Sequence, residues 1–229
     1  MIGSALKPSC ITFHVRNGSI RCETWIPSDP IGLLILTHGT GSYRVNSDLP
    51  RITRMIYDKK IAVVAADFLS PEESADHRFR LNTELVSQRM LMLIQYLSEL
   101  PVFNSLPVSL LGIGTGANAV LSVVTRIPKK IRSVAAVNGF TGERALMTDH
   151  FPLHIPTLIL LQETLGHSSS STIDLPLNKK NIQFRRLYRS DETIPTEGIE
   201  DAVEWLTKNT LRTAGPGLVR SRYELGPNR

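Results

Sequence analysis

Only two cysteines, Cys10 and Cys22, occur in the 229 residues, too few for the disulfide framework of a small secreted scaffold. Neither lies near an H-x-x-x-H pair, so no cluster has the spacing of a metal site. No apolar run reaches the length of a membrane span without a glycine or polar interruption, and residues 1–10 carry no apolar leader core. These absences predict a soluble cytoplasmic protein with no bound metal or cofactor. Charge of one sign is also scarce over most of the chain. The net charge is +5, but Lys208, Arg212, Arg220, Arg222 and Arg229 against Glu224 account for +4 of it, leaving about +1 elsewhere. A basic nucleic-acid-binding face is therefore not indicated.

What is present suffices for one domain with a full core: 41% of residues are hydrophobic and 21% charged. Residues 1–206 read as that domain and residues 207–229 as a basic tail containing glycine and proline. The chain opens with two strand-like runs, residues 10–16 and 19–26, joined by Asn17-Gly18, a two-residue hairpin signal. That turn pairs Arg16 with Ser19, so Phe13 faces Cys22 and Cys10 faces Trp25. Cys10 and Cys22 then lie on opposite faces of the ribbon, which disfavours a disulfide.

Residues 31–37 form an apolar run suited to a central strand, followed by H-G-T-G-S (His38, Gly39, Thr40, Gly41, Ser42). A helix is expected over residues 49–58 and a buried strand over residues 61–66. Asp67 ends that strand, where a carboxylate most simply accepts backbone hydrogen bonds or pairs with Arg78 or Arg80. Ser70-Pro71 followed by Glu72 and Glu73 is a helix start. Residues 85–100 place Leu85, Arg89, Met92 and Tyr96 at helical spacing, with the methionines as core filler. Further strands are expected at residues 131–137 and 155–161, and a final amphipathic helix over residues 199–206 or slightly beyond. Strand and helix alternate as in a doubly wound, mainly parallel α/β sheet.

The stretch at residues 107–119, P-V-S-L-L-G-I-G-T-G-A-N-A, reads as strand, tight turn and helix. Two chemistries use that geometry. A nucleophile elbow, G-x-S-x-G, uses its flanking glycines to let a strained central residue project from the sheet edge. A dinucleotide loop uses glycines to let a phosphate approach a helix N-terminus. On the elbow pattern Gly112 and Gly116 take the glycine positions, and Gly114 stands where the serine belongs. Shifting the register so that Thr115 becomes the nucleophile would put bulky Ile113 where the turn needs a small residue.

Taken in order, H-G-T-G-S, D-F-L-S-P-E-E, Arg78-Phe79, G-I-G-T-G-A and I-P-T-L-I-L-L resemble the dienelactone-hydrolase-like branch of the α/β-hydrolases over residues 31–206. The resemblance implies a single α/β-hydrolase-like domain with an N-terminal antiparallel hairpin and no large cap. It also implies an esterase or lactonase with a Ser-Asp-His triad, an elbow of the form G-A-S-T-G and an oxyanion loop at residues 38–42. This chain departs at all three triad positions. The serine slot is Gly114, and the acid slot after the strand at residues 155–161 holds Leu165, with Glu163 out of register. The histidine slot falls in R-S-D-E-T, Arg189 to Thr193, and no histidine follows His167. Without a hydroxyl to attack and an imidazole to take its proton, an oxyanion loop alone retains little acceleration.

Other readings have specific residues behind them. Thr115, Ser42, His77, Glu163 and His167 are the groups from which a rebuilt hydrolase site could be assembled. Each has a simpler role: Thr115 can cap the elbow helix, Ser42 and His38 can stabilise their own loop, and His77 starts an exposed helix. A nucleotide or S-adenosylmethionine binder would explain G-I-G-T-G-A. However, that loop should follow the first strand, and the next strand should end in an acid where Asn138 stands. The reading we carry forward is a hydrolase-like accessory subunit without triad chemistry, binding protein partners. In the tail, Leu218, Arg220, Arg222 and Tyr223 are the candidate partner contacts. A small ligand in a remnant pocket beside Gly114 is also compatible with the sequence.

Overall fold

The computed structural model describes residues 7–15, 18–38, 43–138, 154–164, 181–189 and 196–212. The hairpin forms from β1 (Ser9–Val15) and β2 (Gly18–Trp25), but its register differs from the one the sequence suggested. Pairing continues to Val15 and Gly18, so Phe13 faces Ile20, Cys22 faces Ile11, and Cys10 faces Glu23. Gly18, at φ 138°, is thus the first residue of β2 rather than half of the turn. Because the slip is by two positions, side-chain faces are kept. Cys10 is exposed, Cys22 is buried, and both are free thiols.

The remaining strands are β3 (Gly32–His38), β4 (Ile61–Ala66), β5 (Val108–Ile113), β6 (Ile131–Val137), β7 (Thr157–Thr164) and β8 (Ile182–Arg189). All eight form one sheet in the order β1-β2-β4-β3-β5-β6-β7-β8. β2 pairs with β4 antiparallel, and every pairing from β4 to β8 is parallel. The strands from β3 to β8 therefore present their C-terminal ends along one edge.

Helices cover both faces, which is why the central strands read as continuous apolar runs. In β4, Ala62, Val64 and Ala66 join one cluster with Met90, Leu93, Val120 and Val124, from α4 (Thr83–Glu99) and α5 (Thr115–Arg126). Ile61, Val63 and Ala65 join the other with Ile52 and Ile56 of α1 (Tyr43–Tyr57) and Val203 and Leu206 of α6 (Thr196–Arg212). Between β4 and α4 lie two short helices, α2 (Pro71–Ala75) and α3 (His77–Arg80). Met92 is an exception to the expected methionine core: it is 44% exposed, whereas Met90 is fully buried.

α6 reaches Arg212, six residues past Leu206, so the first residues assigned to the tail are helical. Thr210 explains the extension. It is buried, and its hydroxyl donates to the Leu206 carbonyl (2.8 Å) while lying 2.6 Å from the Ser109 hydroxyl. Ser109 in turn meets Ser133 at 2.9 Å. A hydroxyl has one proton, and that of Thr210 is committed to a carbonyl, so the chain runs Ser133 to Ser109 to Thr210 to Leu206. It ties the end of α6 to the starts of β5 and β6. The tail contacts Leu218, Arg220, Arg222 and Tyr223 lie outside the described residues.

Candidate functional site

The site is built at the C-terminal end of β5, where the strand turns into α5. Gly112 is required there by close approach. A Cβ on it would stand 2.4 Å from the Gly116 carbonyl oxygen and 2.8 Å from the Ala117 Cα. Gly116 is required for the same reason against β3, since its Cβ would lie 2.9 Å from both the Cγ2 and the carbonyl oxygen of Thr37. These two glycines let β5, β3 and α5 meet without side chains between them.

Gly114 has a different role. It adopts φ 60° and ψ −125°, a conformation that L residues rarely hold. Its N–H donates to the Val137 carbonyl (2.8 Å), and its own carbonyl accepts from the Ala117 N–H (3.0 Å). The strained position is therefore fixed from β6 on one side and α5 on the other. Thr115 follows as the first helical residue, so the register that would make Thr115 the elbow nucleophile is not adopted. The expected capping role of Thr115 is also corrected: the N-cap is Gly114, which makes no side-chain cap bond.

Around this turn the topology gathers other strand ends. His38 is the last residue of β3 and pairs with Ile113, which places the start of the H-G-T-G-S loop one residue from Gly114. Gly39, Thr40, Gly41 and Ser42 lie outside the described residues. After β4, Asp67 is exposed and lines a small cleft with Thr37, Phe68, Leu69, Val86, Thr115 and Gly116. The cleft measures about 250 Å³ even counting its open mouth, below the roughly 300 Å³ at which ligand pockets begin. The carboxylate that Arg78 engages is Asp76, not Asp67, through a pair at 2.7 Å. That guanidinium and the Arg78 backbone N–H hold the Asp76 carboxyl down to about 2.

Sequence reasoning missed the main electrostatic feature of this region. Arg89 of α4, 8% exposed, forms a two-pronged ion pair with Glu73 of α2. Its Nη1 also donates to the Phe68 carbonyl at 2.6 Å. Glu73 meanwhile accepts from the Ser70 N–H (2.9 Å), and its own N–H donates to the Ser70 hydroxyl (3.2 Å), so the expected helix start is a capping box. The bonds from Arg89 hold the Glu73 carboxyl below its ordinary range. Helical spacing had marked Arg89, but a partner 16 residues away leaves no periodic signal. Near the same end of the sheet, burial pushes the Cys22 thiol up to about 12, with Asp67 adding to the shift.

The acid and base slots of the resemblance fall differently. Gln162, Glu163 and Thr164 remain in β7, paired with Leu187, Tyr188 and Arg189; they were expected in the turn after the strand. Leu165, His167 and residues 190–193 lie outside the described residues. His77 is the exposed first residue of α3, as the sequence suggested. Among the described residues no group of three His, Cys, Asp or Glu side chains could hold a metal. No helix among them is long and apolar enough to cross a membrane.

No known family profile matches the chain. Among curated proteins, two from Mycobacterium tuberculosis strains, provisionally named phosphoribosyl transferases, are 28% identical over 114 residues. That match covers 50% of this chain but only 26% of those proteins. Among solved structures, a dienelactone hydrolase from Anabaena variabilis superposes with a TM-score of 0.71 at 18% identity, covering 90% of this chain and 97% of that one. A cold-adapted esterase from an Arctic intertidal metagenomic library gives 0.67 at 16% identity, covering 92% and 96%. The S-formylglutathione hydrolase of Staphylococcus aureus gives 0.63 at 15% identity, covering 87% and 96%. At these identities the likeness establishes the fold, a single α/β-hydrolase-like domain with an antiparallel hairpin at its N-terminal edge.

Proposed function

We propose that this protein is a hydrolase-fold accessory subunit that has given up triad hydrolysis and acts by binding protein partners. The observation that carries the reading is Gly114: the position that a nucleophile elbow holds under strain is present, at φ 60° and ψ −125°, and bears no side chain. The sequence supplies the rest. The acid slot holds Leu165, the histidine slot lies in R-S-D-E-T, and no histidine follows His167. Triad chemistry needs the hydroxyl, the imidazole and its orienting acid as one unit. A frame built for the turn without its reactive group suits a scaffold. In this reading the tail, with Leu218, Arg220, Arg222 and Tyr223, supplies partner contacts.

One observation favours a second reading. Thr115 does not cap its helix, and its residue lines the cleft with Asp67, so a threonine-based hydrolase has a defined place to act. The nucleotide-binding reading gains no such support, because the glycine loop follows the fifth strand and β6 leads into Asn138 at φ 55°. Purification from the native source at endogenous expression, with native mass measurement, tests the accessory role. Co-elution with other proteins in fixed stoichiometry is expected, and elution as a free monomer would overturn it. Treatment with a fluorophosphonate probe separates the two readings. No labelling is expected, whereas labelling lost on Thr115→Ala would establish the hydrolase.

A further inference from the structure

The segment between β4 and α4 is held in an unusual way. Its root is anchored: Phe68 and Leu69 are 3% and 8% exposed, and both line the cleft beside Thr115. Its body is not. Neither α2 nor α3 buries a single residue, and of their side chains only Phe79 packs against the core cluster. The buried tie from this body to α4 is Glu73 on Arg89, and Arg89 reaches the root as well through the Phe68 carbonyl. Val86, one turn before Arg89 on α4, lines the same cleft. One guanidinium thus fixes two walls of the cleft relative to each other.

We propose that residues 70–80 are a strap latched by Arg89, which holds both Glu73 and the Phe68 carbonyl at the cleft wall, and that release of this latch widens the cleft beside the elbow from its sub-ligand size to one that admits a small molecule. Root and body are unequally attached. Elements with few buried apolar contacts open locally at far lower free energy than the core, and here a buried ion pair supplements the single apolar contact, Phe79, that α2 and α3 make with the core. Arg suits the task because its planar fork engages both carboxylate oxygens of Glu73 and has a donor to spare for Phe68. The device does not depend on whether the protein binds partners or hydrolyses esters, since it concerns access to the cleft alone.

Amide hydrogen exchange on the full chain tests the latch. In Arg89→Met, amides at residues 70–80 should exchange at least about tenfold faster, with β5 and β6 unchanged. Arg126→Met, which removes an exposed pair with Glu84 also involving α4, should leave the strap as it is. Unchanged strap exchange in Arg89→Met, or equal acceleration in β5 and β6, would overturn the latch. Should Arg89→Met not fold, Arg89→Lys keeps the charge and loses the fork, and the same local acceleration is required of it. Cleft opening is read separately in a Cys10→Ser, Thr115→Cys background, where a bulky maleimide should label residue 115 about tenfold faster once Arg89 is changed. Equal labelling rates would show that the strap loosens without opening the cleft, and the proposal would fall.

Discussion

The two ends of β5 are built to opposite specifications. At its start, Ser109 is fully buried and sits in a chain of three hydroxyls that ends on a helix carbonyl, with no polar group left over. At its end, the strand runs into a turn held at φ 60° and ψ −125°, and the residue placed there has no side chain at all. Hydroxyls thus bind α6 to the sheet at one end of β5, whereas the elbow tip at the other end, Gly114, carries none. The fold keeps the frame of the elbow because strand, helix and neighbouring strand cannot meet otherwise, and this holds whether or not chemistry is done there.

That contrast predicts a graded set of costs. Gly112→Ala should be the most damaging, because its Cβ would overlap backbone rather than the yielding tip of a side chain. A loss of about 3 kcal/mol or more in chemical denaturation is expected, at or above the upper end for overpacking. A cost under about 1 kcal/mol would mean that the frame is not rigid. Ser109→Ala comes next. It leaves the Ser133 proton without its acceptor and the Thr210 hydroxyl without its donor, both buried, and should cost about 1–3 kcal/mol. Gly114→Ala is opposed by backbone conformation and is expected at about 1–2 kcal/mol by the same measurement. An effect at Gly114 larger than at Gly112 would reverse the assignment of frame and tip.

The frame was legible in the sequence because it is local. G-I-G-T-G between an apolar run and a helical one admits few other geometries, and Ser70-Pro71 with Glu72 and Glu73 spelled out a helix start. What the sequence did not disclose depends on contacts distant along the chain. The hairpin signal at Asn17-Gly18 was real, but pairing extends through Gly18, which shifts the register by two. The family resemblance placed Gln162 to Thr164 in the turn after the strand, yet β8 pairs their backbone regardless of side-chain character. α6 continues past Leu206 because Thr210 finds Ser109, 101 residues earlier. Arg89 stood out only as a cation on an apolar helix; Glu73 had to be brought to it by the turn after β4.

A smaller effect sharpens the comparison at the elbow end. The Glu73 carboxyl lies below its ordinary value of 4.5, chiefly because Arg89 bonds the charged form. The folded protein therefore holds that proton more weakly than the unfolded chain. The stabilisation is complete above about 4.5, the unfolded value, and is lost as pH falls through the lower folded one. Glu72, bonded to the Ser70 hydroxyl, and Asp76, held by Arg78, are lowered as well, so wild type alone cannot isolate Glu73. Glu73→Gln can, because glutamine retains the capping role. The gap in urea midpoint between wild type and Glu73→Gln should be present at pH 7 and shrink toward pH 3. A gap independent of pH would assign the effect to packing.

The smallest expected effect is the most informative about function. Gly114→Ser places a hydroxyl on the turn that the backbone already forms, and its stability cost should match that of Gly114→Ala, since both add a Cβ at the same φ and ψ. Its gain in hydrolysis of a p-nitrophenyl ester should nevertheless be nil. A serine hydroxyl at neutral pH is a poor nucleophile until an adjacent base takes its proton. The six histidines of the chain all fall at or before His167, leaving the slot after β8 without one. Among the described residues, His38 ends β3 and His77 is exposed at the start of α3. A burst of nitrophenol from Gly114→Ser, absent from Gly114→Ala, would show that a base does reach the elbow. The missing side chain would then be the single deficit in an otherwise assembled site.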